Sequence, residues 1–349
     1  MRKKVTFICG GELVPSSRFR VHPIAKALES DGWQTEIIHG YGRVDQKIQS
    51  PILRRGYRAM CRGRRAVRTA FIDCDGPVMV QRLALPWVAT PELCLGRKNR
   101  GLVFDFDDAV FLGSDGSENR FRRKALNAVF EKSAHVVAGN SWLAQQVTAD
   151  VPTTVIPTCI DTSLYRPLDN RPQNERVHLG WVGTGSNFPN LWQLERPLAT
   201  LRSNGHAFDF TICSDSFDRE LNKRLGAAFK KWTPDTELPF LQSLDIGLMP
   251  LQNSDWNRGK CSFKMIQYMS VGCPTVASAV GMNADVLNGD VGGKLVYDED
   301  WLSSLIPLIE SSEKRIQASR EARLRAVERY DVSVAVANYK TIFSTLQGY

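Results

Sequence analysis

RGKCSFKMIQYMSVGCPTVASAVGMNADVL, residues 258–287, reads as loop, helix, abrupt stop, short buried strand and glycine turn. Ser262 is placed to cap the helix by accepting a backbone N–H from its first turn. Phe263, Ile266 and Met269 recur every three residues and give that helix a face to bury. Gly272 supplies a left-handed stop, and Pro274 prevents the helix from resuming. Lys264 and Gln267 stand three apart on another face, with Lys260 one turn earlier. Polar and cationic groups thus gather around the open amide end of a helix, where a phosphate is readily held. The same pattern also suits an ordinary α/β crossover with two solvated lysines.

Working outward, the chain repeats this alternation from its start. VTFICG (5–10) is a short apolar strand closed by Gly10 and Gly11, and SSRFRVHPIAKALESDG follows as one helix ending at Gly32. TEIIHG (35–40), VMVQR (78–82), GLVFDFDD (101–108), HVVAGN (135–140) and TTVIPT (153–158) read as further strands. The polar stretch 159–176, with two prolines, reads as a linker. Strands then resume at HLGWVG (178–183), FDFTICS (208–214), DIGLMP (245–250), PTVAS (274–278) and GGKLV (292–296), with a helix around 190–204. The run from about 313 is helical, with Tyr330, Val334, Ala337 and Phe343 offering apolar contacts. Strand–helix–strand units in series predict two doubly wound α/β domains, each with a parallel sheet. The boundaries expected are 1–165 and 166–330, with a terminal helix at 331–349 returning to the first domain.

Composition agrees with a soluble globular protein. The 349 residues are 43% hydrophobic and 23% charged, with no low-complexity bulk. No apolar run is long enough for a membrane span, and the basic start MRKK lacks the apolar run of a signal peptide. The eight cysteines are scattered without a C-x-x-C pair, as expected of reduced, buried thiols in a cytoplasmic protein. Residues 1–168 carry a balance of +9, and 169–349 carry −1. Residues 54–68 hold seven arginines and no acid. That segment suits an anionic membrane surface, a solvated face or RNA. The lack of interleaved stacking aromatics makes nucleic acid the weakest of the three.

Candidate site residues follow from strand ends. Asp105, Asp107 and Asp108 close the fourth strand at its carboxyl end, where doubly wound sheets bind ligands. Asp105-x-Asp107 also has the spacing to share a face and hold a divalent ion, and all three acids could equally cap the next segment. GTGSN (183–187) lacks the third glycine of a dinucleotide fingerprint, because Phe188 stands there.

Residues 245–296 do more. Tyr268-Met269-Ser270, Gly272, Pro274, Val276-Ala277-Ser278, Gly281, Asp285 and Gly293-Lys294-Leu295-Val296 resemble the donor-binding segment of family 4 nucleotide-sugar glycosyltransferases. DFDDA (105–109), GN (139–140), IPTCID (156–161) and GWVG (180–183) extend the resemblance over essentially the whole chain. It implies the GT-B fold, two Rossmann-like domains facing across a cleft. It also implies a retaining transfer of sugar from a nucleotide-diphosphate donor to a saccharide or lipid-linked acceptor in surface polysaccharide or glycolipid assembly. The expectation is a cytoplasmic enzyme that needs no metal, with an anionic surface on the inner membrane face as a candidate partner of 54–68.

By position, the resemblance puts the donor ribose on Gln267; Arg258, Gly259, Ser262, Gly183, Gly185, Asn283 and Asp285 are the other candidate donor contacts, with base contacts by backbone near Trp232–Thr233. For the leaving diphosphate the nearest available cations in the sequence are Arg258, Lys260 and Lys264, with Lys264 expected first and then Lys260. Asp107 or Asp108 stands near the place of the family's site histidine. On the acceptor side, the Gly10–Gly11 loop and Arg18 or Arg20 are expected to line the cleft. Two departures stand out. The family's paired glutamates, eight apart, are replaced by Gly259 and Gln267, and the turn VGTGSNFPN carries no cation. A GT-B-like nucleotide-sugar epimerase, a non-catalytic sugar-binding protein and a metal-dependent single-domain transferase are the alternatives.

Overall fold

The computed structural model describes residues 3–12, 14–42, 44, 48, 50–99, 101–113, 116–170 and 175–347. Two compact units result, each built around its own parallel sheet. The first comprises Met1–Cys159, the tripeptide Gly259–Cys261 and Val332–Tyr349; the second comprises Ile160–Arg258 and Ser262–Asp331. The first boundary thus falls at Cys159 rather than at 165, and the excursion of Gly259–Cys261 has no signal in the sequence.

The first unit runs β1 (Lys4–Gly11), α1 (Pro15–Arg20), α2 (His22–Ser30), β2 (Gln34–Tyr41), α3 (Pro51–Phe71), β3 (Val78–Gln81), α4 (Thr90–Lys98), β4 (Leu102–Phe106), α5 (Arg120–Lys132), β5 (His135–Ala138), α6 (Ser141–Ala144) and β6 (Thr153–Val155). Its strands lie in the order β2-β1-β3-β4-β5-β6, all parallel. The order reverses between β1 and β3, and the carboxyl ends of those strands make the crevice where such sheets take ligands. The single helix expected after β1 is two helices broken at Val21. Pro23 has no N–H to return to Phe19, and the Cys159 thiol donates to the Phe19 carbonyl instead, at 3.2 Å.

The second unit runs β7 (Val177–Gly183), a 3₁₀ segment (Gly185–Leu194), α7 (Glu195–Ser203), β8 (Phe208–Ser214), α8 (Arg219–Leu225), β9 (Ala228–Lys231), α9 (Pro234–Ser243), β10 (Ile246–Met249), α10 (Asp255–Arg258), α11 (Phe263–Ser270), β11 (Thr275–Ser278), α12 (Met282–Val286), β12 (Gly293–Val296), α13 (Trp301–Glu310) and α14 (Ser312–Tyr330). Its order is β12-β11-β10-β7-β8-β9, again parallel, with the reversal between β7 and β10. β9, a four-residue strand with two lysines, was not expected from sequence.

Residues 160–170 are no free linker. Asp331 accepts from the Thr162 amide and hydroxyl, and the Tyr165 hydroxyl donates to Glu237 at 2.7 Å. Arg323 donates to the carbonyls of Thr162, Tyr165 and Ser270. The expected linker's remaining positions 171–174 lie outside the described residues. Last, α15 (Val332–Thr345) belongs to the first unit. It buries Ala335, Val336, Tyr339, Ile342 and Phe343 with Phe7, Trp33 and Leu28, whereas Ala337 is exposed.

Candidate functional site

Helix α11 is fixed to the reversal point of the second sheet by one side chain. The Tyr268 ring lies over Gly247 of β10, where a Cβ would come within 2.4 Å. Its hydroxyl accepts the Val182 N–H of β7 at 2.9 Å, so one tyrosine joins the helix to both strands. The helix is buried nearly all round, at Met265, Ile266, Gln267, Tyr268, Met269 and Ser270, while Phe263 is half-buried. The expected three-residue stripe understates that burial. Gly272 closes the helix at φ +70°, the left-handed stop expected.

At the amino end, Ser262 does not cap with its side chain. Its backbone is left-handed at φ +48°, and its carbonyl accepts from Met265 and Ile266. Its hydroxyl donates to Asn283 Oδ1 at 2.7 Å, and Asn283 Nδ2 donates to the Ser278 carbonyl. A left-handed residue followed by a helical one turns successive N–H groups toward one point, a concavity suited to an anion. Gly281, at φ +54°, lies against the Arg258 backbone, where a Cβ would come within 2.8 Å.

Lys264 leaves the first turn of α11 across the end of β7. A Cβ on Gly183 would meet its Cε at 2.6 Å, and its ammonium lies 5.6 Å from the Trp181 ring. The structure therefore brings Lys264 and Gly183 together. Thr184, Ser186 and Asn187 form a hydrogen-bonded cluster in the following turn. The Gly185 N–H is taken by Asp215, at 2.9 Å. Gln267 is buried, with an Nε2 that finds no protein partner. Arg258 is paired within its own segment with Asp255 and Asn253. Asp285 is exposed on α12. The Trp232 N–H goes to the Ser214 carbonyl and the Thr233 N–H to Thr236, so neither amide is left for a base.

The first unit holds the remaining candidates. Arg20, expected at the acceptor side, is fully buried. Its guanidinium grips both carboxylate oxygens of Asp105 and donates to the Ile156 carbonyl at 2.8 Å. The Tyr339 hydroxyl also donates to Asp105, at 2.8 Å. Asp105 is thus held on both oxygens within the first unit. Arg18 is half-exposed beside Phe19, and Gly11 gives way to the Tyr41 ring, which a Cβ would overlap.

Asp107 and Asp108 follow the end of β4, and both pair with Arg82, at 2.7 and 3.3 Å. Burial works against the Asp107 charge, but Arg82 and then Arg20 hold its pKa below the ordinary carboxylate value. Arg82 sits just past β3 with φ +55°, a strained backbone at the sheet's crevice. Lys260 belongs to this group. Its carbonyl accepts from Asn140 Nδ2 at 3.0 Å, and burial lowers its pKa against the pull of Asp108. Gly259 presses on Ala109, where a Cβ would come within 2.6 Å, so no glutamate fits at this position.

Sequence reasoning missed Arg82, read only as the end of a strand. It also missed His22 and His39, whose Nε2 atoms lie 2.8 Å apart. Burial and the neighbouring ring hold His22 below its ordinary pKa, and burial does the same for His39. Seventeen residues separate the two, so no local signal could have paired them. No cluster of three or more metal-ligating side chains occurs among the described residues.

No protein-family model matches the sequence, and no curated protein does. Solved structures do. A sucrose-phosphate synthase from Thermosynechococcus elongatus superposes with a TM-score of 0.74 at 12% identity, covering 99% of both chains. A glycosyltransferase from Rickettsia africae gives 0.73 at 13% identity over 100% of both chains. HepE from Anabaena, in complex with UDP, gives 0.69 at 15% identity over 99% of this chain and 100% of its own. At such identities the likeness speaks for the fold, and two six-stranded parallel sheets matched end to end give this chain the GT-B fold.

Proposed function

We propose that this chain is a glycosyltransferase of the family 4 type, moving a sugar from a nucleotide-diphosphate donor to a saccharide or lipid-linked acceptor in surface polysaccharide or glycolipid assembly. The observation that carries the reading is Lys264 lying over Gly183 at the amino end of α11, beside the left-handed Ser262. A diphosphate there meets converging N–H groups, a helix amino end and an ammonium together. HepE, similar in fold, has been crystallised with UDP, with UDP and glucose, and with UDP-glucose.

The chemistry asked of these groups is charge stabilisation. The bond from the anomeric carbon to the β-phosphate oxygen breaks while the acceptor oxygen forms its bond on the same face, giving retention. The acceptor proton passes to the departing phosphate oxygen. Negative charge grows on that oxygen, and a preplaced cation is stabilising in proportion to that growth. Lys264 supplies it. The reading calls for no metal, and Asp105, paired with Arg20, and Asp107 and Asp108, paired with Arg82, serve it as structural carboxylates. Gln267, with its unpartnered amide at the position of a family glutamate, offers a neutral donor to a ribose hydroxyl.

A panel of UDP-, GDP- and ADP-sugars tests this by thermal stabilisation, followed by product analysis with mixed glycan and lipid-linked acceptors. One donor class should raise the unfolding temperature, and its sugar should appear on an acceptor with unchanged anomeric configuration. Donor conversion without any acceptor, or no stabilisation by any nucleotide sugar, would overturn the proposal.

A further inference from the structure

Helix α3 is built inside out. Its inward face carries Cys61, Arg65 and Thr69, all buried. Arg65 spends one nitrogen on the Gln81 and Arg82 carbonyls, each at 2.8 Å, at the carboxyl end of β3. The outward face carries Leu53, Met60, Val67 and Phe71, at i, i+7, i+14 and i+18, which is one line along a helix. They are 67%, 55%, 61% and 74% exposed, with Ile52 at 80% on the neighbouring flank. Arg55, Arg62, Arg64 and Arg68 are exposed alongside, and no acid occurs between Pro51 and Phe71. A soluble helix turns its apolar stripe to the core; this one turns it to the outside.

The direction of α3 is also fixed. Arg58 lies 5.6 Å from the Tyr41 ring at the end of β2, Arg65 lies beside Gly40, and Arg68 pairs with Glu36. The helix therefore runs antiparallel to β2. Its residues before Arg58 extend about 10 Å past the strand's carboxyl end. Ile52 and Leu53 are carried on that projection.

We propose that α3 docks the first unit on an anionic lipid bilayer, lying in the interface with its apolar line among the acyl chains and its arginines on the lipid phosphates. Three observations choose the occupant. Apolar residues with flanking arginines are what a headgroup–acyl boundary accepts. A second copy of the same face would set arginine against arginine without an acid to relieve them. A nucleic acid would have no use for the apolar line. Among the described residues no helix is long and apolar enough to cross a membrane, so this is attachment at a surface. The proposal stands apart from glycosyl transfer, since vesicle binding is read without donor or acceptor.

The test is co-sedimentation of the full chain with phosphatidylcholine vesicles, plain or containing phosphatidylglycerol. Anionic vesicles should bind the chain and plain ones should not. Leu53→Glu with Val67→Glu should lower binding at least about tenfold, as should Arg55→Gln with Arg62→Gln and Arg64→Gln. Circular dichroism melting should be unchanged, because all five side chains are exposed. Absence of binding by the wild type overturns the proposal. So does indifference to the glutamate pair, displacement from vesicles by single-stranded RNA, or a dimer in sedimentation equilibrium that Leu53→Glu dissolves.

Discussion

Gly183 lies beneath the side chain of Lys264: a Cβ added to the glycine would stand 2.6 Å from Lys264 Cε and 2.5 Å from the Trp181 ring. The glycine at the end of β7 is therefore a space reserved for a lysine that arrives from α11. Lys264→Ala should lower turnover by about 10² to 10³, the usual loss of one preplaced transition-state donor. Gly183→Ala should lower it at least about tenfold by displacing the same ammonium. Steady-state kinetics of the double variant separates the causes. If Gly183→Ala acts through Lys264, the double variant is no slower than Lys264→Ala alone. Fully additive losses would place the effect in Trp181 instead.

Arg20 and Asp105 make a buried ion pair tied to α15 through Tyr339. Breaking such a pair from one side leaves a charge in the interior, at a cost of about 3–5 kcal/mol. Arg20→Met should lose that much in urea unfolding, and Asp105→Asn added to it should recover part of the loss. An Arg20→Met protein of full stability with a raised KM for acceptor would return Arg20 to the binding role expected from sequence.

Glu92, in the first turn of α4, is fully buried, with Oε1 on the Ala84 N–H and Oε2 without a protein partner. Burial pushes its pKa up to about 7, against the pull of that N–H and of Arg65. A carboxyl whose pKa is raised by folding adds stability below its unfolded value, near 4.3, and that stability is lost as pH rises to 7. At about 1.4 kcal/mol per unit, the loss is on the order of 3 kcal/mol. Glu92→Gln should therefore leave the unfolding temperature at pH 4 unchanged and raise it at pH 8. Parallel wild-type and variant profiles across that range would show that Glu92 does not titrate there.

The fold was legible because its signal is local. Apolar runs such as VTFICG and HLGWVG end in glycine, and the helix from Phe263 stops at Gly272 and Pro274. The site was less legible because its decisive relations are distant. Asp105 meets an arginine 85 residues away, and nothing in SSRFR distinguishes the arginine that is buried from the one that is half-exposed. Arg65 hides in a run that reads as uniformly solvated, yet its partners are two carbonyls of β3. Gly259 was visible as a missing glutamate, but its reason, Ala109 pressed against it, lies 150 residues earlier.

Ser262 offers the sharpest test of the helix entrance, because two local rules conflict there. A serine before a helix ordinarily caps it from an extended backbone, whereas this one is left-handed and gives its hydroxyl to Asn283. The left-handed backbone strains any residue with a Cβ, at roughly 1 kcal/mol or more, and glycine escapes that strain. Loss of the hydroxyl removes a hydrogen bond of about 1 kcal/mol and leaves the buried Asn283 oxygen short of a donor. Ser262→Ala keeps the strain and loses the bond; Ser262→Gly loses both. Chemical denaturation should rank the wild type above or level with Ser262→Gly, and Ser262→Gly above Ser262→Ala by about 1 kcal/mol. On the proposed diphosphate site, nucleoside diphosphate affinity should survive in Ser262→Gly, since that site would use the N–H groups while the hydroxyl is given to Asn283. An alanine variant as stable as the wild type would mean that neither strain nor the Asn283 bond governs this turn.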